Sequence, residues 1–518
     1  MSNSVIIGSR GSDLALWQAH FFQDELTKIG ISSEIKIITT KGDRIQHLSF
    51  DKIEGKGFFT KEIEAALLEG EIDVAIHSHK DLETKMPPGL TIAGVSSRAN
   101  PSDMLLIHPK AVDKSLPLSF RRNAVVGTSS ARRKSQIRAL RSDISIKDIR
   151  GNVPTRINKL RSGDFDAILL AAAGIERLDL DISDLLSIEL DPRIFIPAPA
   201  QGVLAYQCRE QDSKMQKVIQ SLHNKPAANA IAIERGILSG FGGGCHIPIG
   251  VNAIENQGGF TVRASFGEDW NRIPKRVRFG AHNLEEALVK FESLKKQALP
   301  ASVFISRLVS NDSHLLHACH EHQIKLIHTP CIEICPKEFA LPSKYDWLFF
   351  ASSNAVEVFF AQVAADDIKG KKLAVYGSST ARSLYKYVKH IDFIPDPGQP
   401  SDVAQAVMTK VSNGHVLFPT SDVSLNTISS ALNQDQVTSI SIYQTKELDT
   451  VKVDPCEAYV FTSPSNVRGF LMGSNVINKD AKVIAIGNST AKELESNGLD
   501  CQVASVPHEA ELFALVCS

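Results

Sequence analysis

Two stretches in the second half of this chain repeat each other at a nearly constant distance. Phe350-Ala351-Ser352-Ser353-Asn354-Ala355-Val356 returns as Phe461-Thr462-Ser463-Pro464-Ser465-Asn466-Val467, and Gly377-Ser378-Ser379-Thr380-Ala381 returns as Gly487-Asn488-Ser489-Thr490-Ala491. The pairs lie 111 and 110 positions apart, so each copy spans a whole α/β unit and two such units share one plan. In each copy a hydrophobic strand ends in small hydroxyl residues that open a helix, where free backbone N–H groups and the positive helix end favour an anion. Ser and Thr at such places are also ordinary helix N-caps.

The first half uses the same grammar. Val5-Ile6-Ile7-Gly8-Ser9-Arg10 leads into the helical pattern Leu14, Leu16, Trp17, Ala19, Phe21. Val125-Val126-Gly127-Thr128-Ser129-Ser130 leads likewise into Ala131-Arg132-Arg133 and Ile137, Leu140. Downstream, Gly70-Glu71-Ile72-Asp73 and Gly163-Asp164-Phe165-Asp166 each open a further strand, so two similar α/β domains are expected here as well. Ligands of such sheets bind beyond the carboxyl ends of the strands. Lys80 and Asp81, which follow the strand ending at Ile76-His77-Ser78-His79, therefore face that cleft, as do Arg150 and Arg156 around the turn Gly151-Asn152-Val153-Pro154-Thr155.

A chain of 518 residues exceeds one hydrophobic core and divides into several domains. With 43% hydrophobic and 22% charged residues it is a folded globular protein. Residues 1–8 lack the basic region and apolar core of a secretory signal, and no apolar run reaches membrane-spanning length, so a cytoplasmic protein without membrane partners is expected. The eight cysteines are scattered without a C-x-x-C pair, which indicates neither a disulfide framework nor a metal site. Cys331 and Cys335 read as packing residues of a strand.

The net charge of −1 hides an uneven distribution: between Arg121 and Arg161, twelve Lys or Arg stand against two acids. This segment wants anions. It contains no Phe, Tyr or Trp to stack bases and turn signals divide it, so nucleic acid is not the expected partner. Arginines beside glycines suit small polycarboxylates or phosphates. Finally, Gly242-Gly243-Gly244-Cys245-His246-Ile247-Pro248-Ile249-Gly250 places one thiol on a glycine-rich turn that a bulky ligand can approach closely, which suggests a covalent anchor.

Together the stretches Arg10 to Ala19, His77 to Asp81, Gly127 to Arg133, Arg150 to Arg156 and Gly242 to Gly250 resemble the porphobilinogen deaminase (hydroxymethylbilane synthase) family over about residues 4–298. The resemblance implies two binding-protein-like α/β domains, 1–97 with 199–218 and 103–194, and a small α/β cofactor-anchoring domain, 222–298. It implies head-to-tail condensation of four porphobilinogen molecules, with loss of ammonia, on a dipyrromethane cofactor held to Cys245 by a thioether. Lys80, Thr128, Ser130, Arg132 and Arg133 would bind that cofactor. Arg10, Ser12, Gln18, Arg150, Arg156 and Arg177 would handle incoming porphobilinogen and the lengthening chain. Asp81 would be catalytic, since a carboxylate near the pyrrole N–H stabilises the cationic azafulvene left by ammonia. Gly55 to Lys61, with Lys56 and Phe59, resembles the family's mobile active-site loop, with Asp43 upstream. Three positions depart from the family: Asp13 where proline is usual, His79 where methionine is frequent, and Ala200 where glycine is common.

Pro300 marks a linker at about 298–301, and residues 302–518 resemble uroporphyrinogen-III synthase in a looser match, with Ser306-Arg307-Leu308 where that family commonly has Thr-Arg-Pro. That resemblance implies a two-domain α/β module, 302–334 with 449–518 and 337–445. It also implies ring closure of a linear tetrapyrrole with inversion of its last pyrrole. Ser352, Thr380, Ser463 and Thr490 would line the cleft, with Tyr443 near the departing hydroxyl. Two readings compete with a bifunctional enzyme: a deaminase with a catalytically silent C-terminal module, and a binding-protein-like receptor for small anions. The receptor has no need of Cys245.

Overall fold

In the first half, strands that alternate with helices build two five-stranded sheets of the same design. The computed structural model describes residues 4–40, 60–242, 247–395, 400–422 and 428–518. The first sheet contains β1 (Val5–Ser9), β2 (Ser33–Ile37), β3 (Val74–Ser78), β4 (Leu90–Val95) and β10 (Leu204–Arg209), in the order β2-β1-β3-β10-β4. The second contains β5 (Asp103–Ile107), β6 (Val125–Gly127), β7 (Ser145–Lys147), β8 (Ala167–Ala171) and β9 (Leu186–Leu190), in the order β7-β6-β8-β5-β9. In each, three parallel strands adjoin one antiparallel strand delivered by a chain crossing, β10 in the first and β5 in the second. Residues 96–103 and 190–204 are therefore the two passes between the sheets.

Helices α1 (Asp13–Lys28), α2 (Lys61–Leu68), α3 (Ala131–Leu140), α4 (Val153–Arg161) and α5 (Ala172–Arg177) follow strand ends. Helix α1 turns Ala19, Phe22 and Leu26 onto Ile7, Val74 and Tyr206 of the first sheet. Asp13 is exposed in the first turn of α1, where a carboxylate suits the positive helix end. Helices α6 (Ser213–Ser221) and α7 (Lys225–Ser239) lead to a three-stranded antiparallel sheet, β11 (Gly250–Asn256), β12 (Gly259–Phe266) and β13 (Lys275–Ala281), followed by α8 (Leu284–Lys296). One face of this sheet packs Val251, Val262 and Val277 against Ile233 and Ile237 of α7 and Phe291 of α8.

The second half begins with β14 (Ser302–Ile305), α9 (His314–Glu321), β15 (Lys325–His328), β16 (Ile332–Pro336), β17 (Trp347–Phe350), α10 (Ser353–Phe360), β18 (Lys372–Val375), α11 (Ser378–Tyr385), α12 (Pro400–Val411), β19 (Val416–Ser421) and β20 (Val437–Glu447). It closes with β21 (Ala458–Phe461), α13 (Pro464–Met472), β22 (Lys482–Ala485), α14 (Asn488–Ser496), β23 (Gln502–Val503) and α15 (Glu509–Cys517). Strands β15-β14-β21-β22-β23 form a wholly parallel sheet, and β16-β20-β19-β17-β18 a second sheet. Strand β16 pairs antiparallel with β20, so residues 332–334 join the second sheet, on the far side of the division expected at 334.

Candidate active sites

The strand ends of the first half gather arginines and one lysine around a single buried carboxylate. Asp103, the first residue of β5, is fully buried. It accepts hydrogen bonds from Arg132 (Nη1 to Oδ2, 2.6 Å) and Arg133 (Nη2 to Oδ1, 2.7 Å; Nε to Oδ1, 3.0 Å). Burial alone would raise this carboxyl, but the Arg132 and Arg133 charges outweigh it and hold the group well below the usual carboxylate range. Arg132 also donates to the Ile196 carbonyl (3.0 Å) and Arg133 to the Leu169 carbonyl (3.0 Å). The Arg132 Nε–H is buried and has no partner among the described residues. Ser130 caps α3 by accepting from the Arg133 N–H, and the hydroxyl of buried Thr128 accepts from the Ser130 N–H.

From the first sheet, a single 3₁₀ turn, His79–Asp81, follows β3. Lys80 Nζ donates to Gln201 Oε1 (3.2 Å), and the Gln201 amide donates in turn to Asp103 (3.2 Å). Burial pushes the Lys80 ammonium down to about 8, with Asp81 opposing the shift and Arg133 adding to it. Asp81 itself is exposed. The turn is gripped from α7: Arg235 donates to the carbonyls of His79 (3.1 Å), Leu82 (3.2 Å) and Glu83 (2.5 Å). His79 is buried and its imidazole lowered to about 3, by burial first and then by Arg235, so the side chain standing where methionine is frequent is a neutral packing group.

Gln18 is buried against β3, donating to Ser78 Oγ at 2.8 Å. Ser12 is the N-cap residue of α1, and Arg10 directly follows β1. Arg156 donates Nε to the Gly151 carbonyl (2.8 Å), and burial, reinforced by Arg133 and Arg150, brings it down to about 10. Gly151 has φ +112°, a conformation that suits glycine. Arg177 donates to the Gly202 carbonyl (2.9 Å) and lies over the Trp17 ring at 5.3 Å, bridging the two sheets. Arg98 forms a two-pronged pair with fully buried Glu234 (2.6 and 3.2 Å), which also accepts from the Ala200 and Ala253 N–H groups. Ala200 has φ +61°, which explains why glycine is the easier residue there.

Asp103, Arg235 and the Arg98–Glu234 pair escaped the sequence reading. Each acts on a partner at least 29 positions away, and no local pattern marks them. Cys245, Lys56, Phe59 and Asp43 lie outside the described residues.

In the second half, Ser352 caps α10, accepting from the Ala355 N–H at 3.1 Å, and its hydroxyl lies 3.4 Å from the Tyr443 hydroxyl. Ser463 caps α13, accepting from Asn466 N–H at 3.2 Å and from its side-chain amide at 2.9 Å. Thr380 and Thr490 are buried, whereas the preceding Ser378, Ser379, Asn488 and Ser489 are the exposed residues of those helix starts. Among the described residues, no group of three or more His, Cys, Asp or Glu could hold a metal, and no helix is long and apolar enough to cross a membrane.

The family model described as porphobilinogen deaminase, dipyromethane cofactor binding domain, matches residues 5–217. Porphobilinogen deaminase of Clostridium novyi is 40% identical over 278 residues, covering 52% of this chain and 91% of that protein. This chain belongs to the porphobilinogen deaminase family. The deaminase of Sulfurimonas denitrificans is 43% identical over 268 residues, covering 51% of this chain and 83% of that protein. Beyond the deaminase half, the model of uroporphyrinogen-III synthase HemD matches residues 313–515. Uroporphyrinogen-III synthetase of Helicobacter pylori superposes on 41% of this chain and 96% of its own length, with 18% identity and a TM-score of 0.31.

The protein is thus a bifunctional enzyme of tetrapyrrole synthesis. Its deaminase half is a transferase that assembles hydroxymethylbilane from porphobilinogen on a dipyrromethane cofactor, and its second half is a uroporphyrinogen-III synthase. The family matches do not favour the receptor and silent-module readings. The cluster fits such a cofactor in kind: the cofactor's acidic side chains call for cationic donors, and the Arg132 Nε–H and the Lys80 ammonium are groups of that kind.

Proposed function

We propose that Asp81 is the catalytic group of the deaminase half and that Cys245 is the thioether anchor of its cofactor. Lys80, Thr128, Ser130, Arg132 and Arg133 would hold the cofactor carboxylates. Arg10, Ser12, Gln18, Arg150, Arg156 and Arg177 would receive porphobilinogen and the growing chain. Lys56 and Phe59 would belong to the active-site loop. The domain division follows the boundaries 1–97 with 199–218, 103–194, 222–298 and 302–518, and the setting is cytoplasmic.

The observation that carries this reading is the joining of the Lys80–Asp81 turn to Asp103, Arg132 and Arg133 through Gln201. Every pyrrole added brings two carboxylates, and fixed guanidinium groups neutralise them without discharging. Bound dipyrromethane supplies the nucleophilic pyrrole carbon to which the first unit is joined. Asp81 stabilises the positive charge that develops on porphobilinogen as ammonia departs, and it can accept the pyrrole proton. Arg235, by fixing the carbonyls on either side of Asp81, keeps that carboxylate at one position.

In the synthase half, Ser352, Ser463, Thr380 and Thr490 mark helix starts whose backbone N–H groups would hold the carboxylates of a folded hydroxymethylbilane, with Tyr443 near the leaving hydroxyl. Intact-mass measurement separates the deaminase roles. The parent chain and Asp81→Asn should both carry the dipyrromethane adduct, with turnover of Asp81→Asn down roughly 10²- to 10⁴-fold. Cys245→Ser should lack the adduct. Near-normal turnover in Asp81→Asn, or an unmodified thiol in active protein, would refute these assignments.

A further inference from the structure

The three-stranded sheet of the third deaminase domain has one apolar face, turned to α7 and α8, and one cationic face. On the cationic face Arg263 and Ser265 of β12 and Arg276 and Arg278 of β13 alternate with the apolar residues that point the other way. Arg263, Ser265 and Arg276 are buried, and Arg276 is among the largest fully buried side chains described. A guanidinium cannot shed its charge, so three of them on one covered face need a facing anion.

That anion comes from the synthase half. Glu511 of α15 is 1% exposed. It accepts from Arg278 Nη1 at 3.1 Å and from Ser505 Oγ at 2.7 Å, and lies 3.8 Å from Arg263 Nε. Its charge also acts on Arg276, which is bound to the carbonyls of Ile194 (2.6 Å) and Arg193 (3.3 Å).

Around this pair the halves exchange further bonds. Arg278 donates to the Val503 carbonyl (2.9 Å), and its edge-strand N–H donates to Ser518 Oγ (2.8 Å). Arg263 donates to Ser505 Oγ (3.1 Å), and Arg193 to the Ser505 carbonyl (3.2 Å). Buried His314 of α9, whose ring lies 6.3 Å from that of Phe513 in α15, meets the Ala139 carbonyl in the last turn of α3 at 2.8 Å. The apolar cluster is also continuous, running from Val262 and Val277 of the deaminase half into Phe513 and Val516 of α15.

We propose that α15 of the synthase half is a wall of the third deaminase domain, so that the two halves unfold as one cooperative unit with Glu511 as their shared counter-ion. Among the described residues, Glu511 bonds none of those proposed for either cleft. Its effect on porphobilinogen turnover rests on the reading that this domain anchors the cofactor, whereas its effect on unfolding does not.

The test uses the full chain, with porphobilinogen consumption and conversion of hydroxymethylbilane to the type III isomer assayed separately after timed heating. In the parent chain both activities should be lost along one curve, with midpoints within about 2 °C. Glu511→Ala should lower both midpoints by roughly 3 to 5 °C, and Glu511→Gln by less, because the buried arginines lose their anion. Adding Arg278→Met to Glu511→Ala should return part of the loss. Asp312→Ala, which breaks the exposed Arg122–Asp312 pair, should shift either midpoint by less than about 1 °C. Separate midpoints in the parent chain overturn the proposal even if Glu511→Ala proves insoluble. A Glu511→Ala effect confined to the synthase activity overturns it as well.

Discussion

At the deaminase cleft the groups beyond the strand ends are fixed cations tied to one another: Arg132 and Arg133 share Asp103, and Lys80 reaches the same carboxylate through Gln201. The equivalent places in the synthase half carry Ser352, Ser378, Ser379, Ser463, Asn488 and Ser489. Arg307, which follows β14, is tied to Glu509 at 2.5 Å. Both halves use strand-to-helix turns, yet one carries side-chain charge there and the other small hydroxyl and amide residues, which in the proposed reading leaves binding to backbone N–H groups. The contrast follows the chemistry. Condensation passes through a cation and accumulates carboxylates, so it depends on particular charges in particular places. Ring closure with inversion depends on holding a substrate folded, a task that in the proposed reading many weak donors would share.

The difference is most open to attack at Asp103. Asp103→Asn leaves two buried guanidinium groups facing a neutral amide, and breaking such a pair costs about 3 to 5 kcal/mol. We expect the variant to be markedly less stable and to accumulate as protein without the dipyrromethane adduct, by denaturant titration and intact mass. If Asp103→Asn kept parent stability and a full adduct, the charge cluster would not be the framework of the cleft.

How much of this was legible beforehand follows from the range of each interaction. The α/β class and the doubled plan of each half came from strand, turn and helix patterns that are local. Arg132 and Arg133 stood out as anion-seeking, but Asp103 sits at the start of a strand 29 positions earlier and looks like any turn acid. Thr380 and Thr490 matched each other in the repeat, yet the helical period turns them inward and leaves the two residues before each at the surface. Ala200 was visible as a departure from glycine, and only its φ of +61° explains the preference. Glu511 pairs with Arg278 across 233 positions, which no periodicity announces. That contact also limits a simple experiment: deleting residues 302–518 would remove a wall of the deaminase half together with the synthase, so point variants are the cleaner comparison.

A smaller effect separates the clefts by pH. Lys80 is held down to about 8 from its usual 10.5, chiefly by burial. It is therefore charged at pH 7 and neutral above about pH 8 in the absence of a bound carboxylate. For stability the sign is the reverse: the unfolded chain keeps that proton up to its higher pKa, so Lys80 contributes increasing stability between about pH 8 and 10.5. Formation of the dipyrromethane adduct on cofactor-free protein, followed by intact mass, should consequently fall as pH rises through about 8 without any loss of fold. Helix N–H groups do not titrate there, so the ratio of type III to type I isomer formed from hydroxymethylbilane should stay level across the same range. Parallel decline of the two would mean that the synthase cleft also relies on a titrating cation.

The smallest expected effect lies at Tyr443. Its hydroxyl is 3.4 Å from that of Ser352, which is already engaged as the cap of α10, and its ring belongs to the apolar core of the second synthase sheet. Tyr443→Phe keeps the ring and removes one long hydrogen bond, so stability should change by less than about 1 kcal/mol. If the substrate is held mainly by backbone donors at several helix starts, the synthase rate should drop only a few-fold, and the type III isomer should remain the main product because the fold of the bound chain is unchanged. Assayed on hydroxymethylbilane, with porphobilinogen consumption as the internal control, a loss of 100-fold or more, about 2.7 kcal/mol, would contradict shared binding. It would make Tyr443 the synthase counterpart of Asp81, and the contrast between a charge-built and a backbone-built cleft would then hold for substrate binding but not for the chemical step.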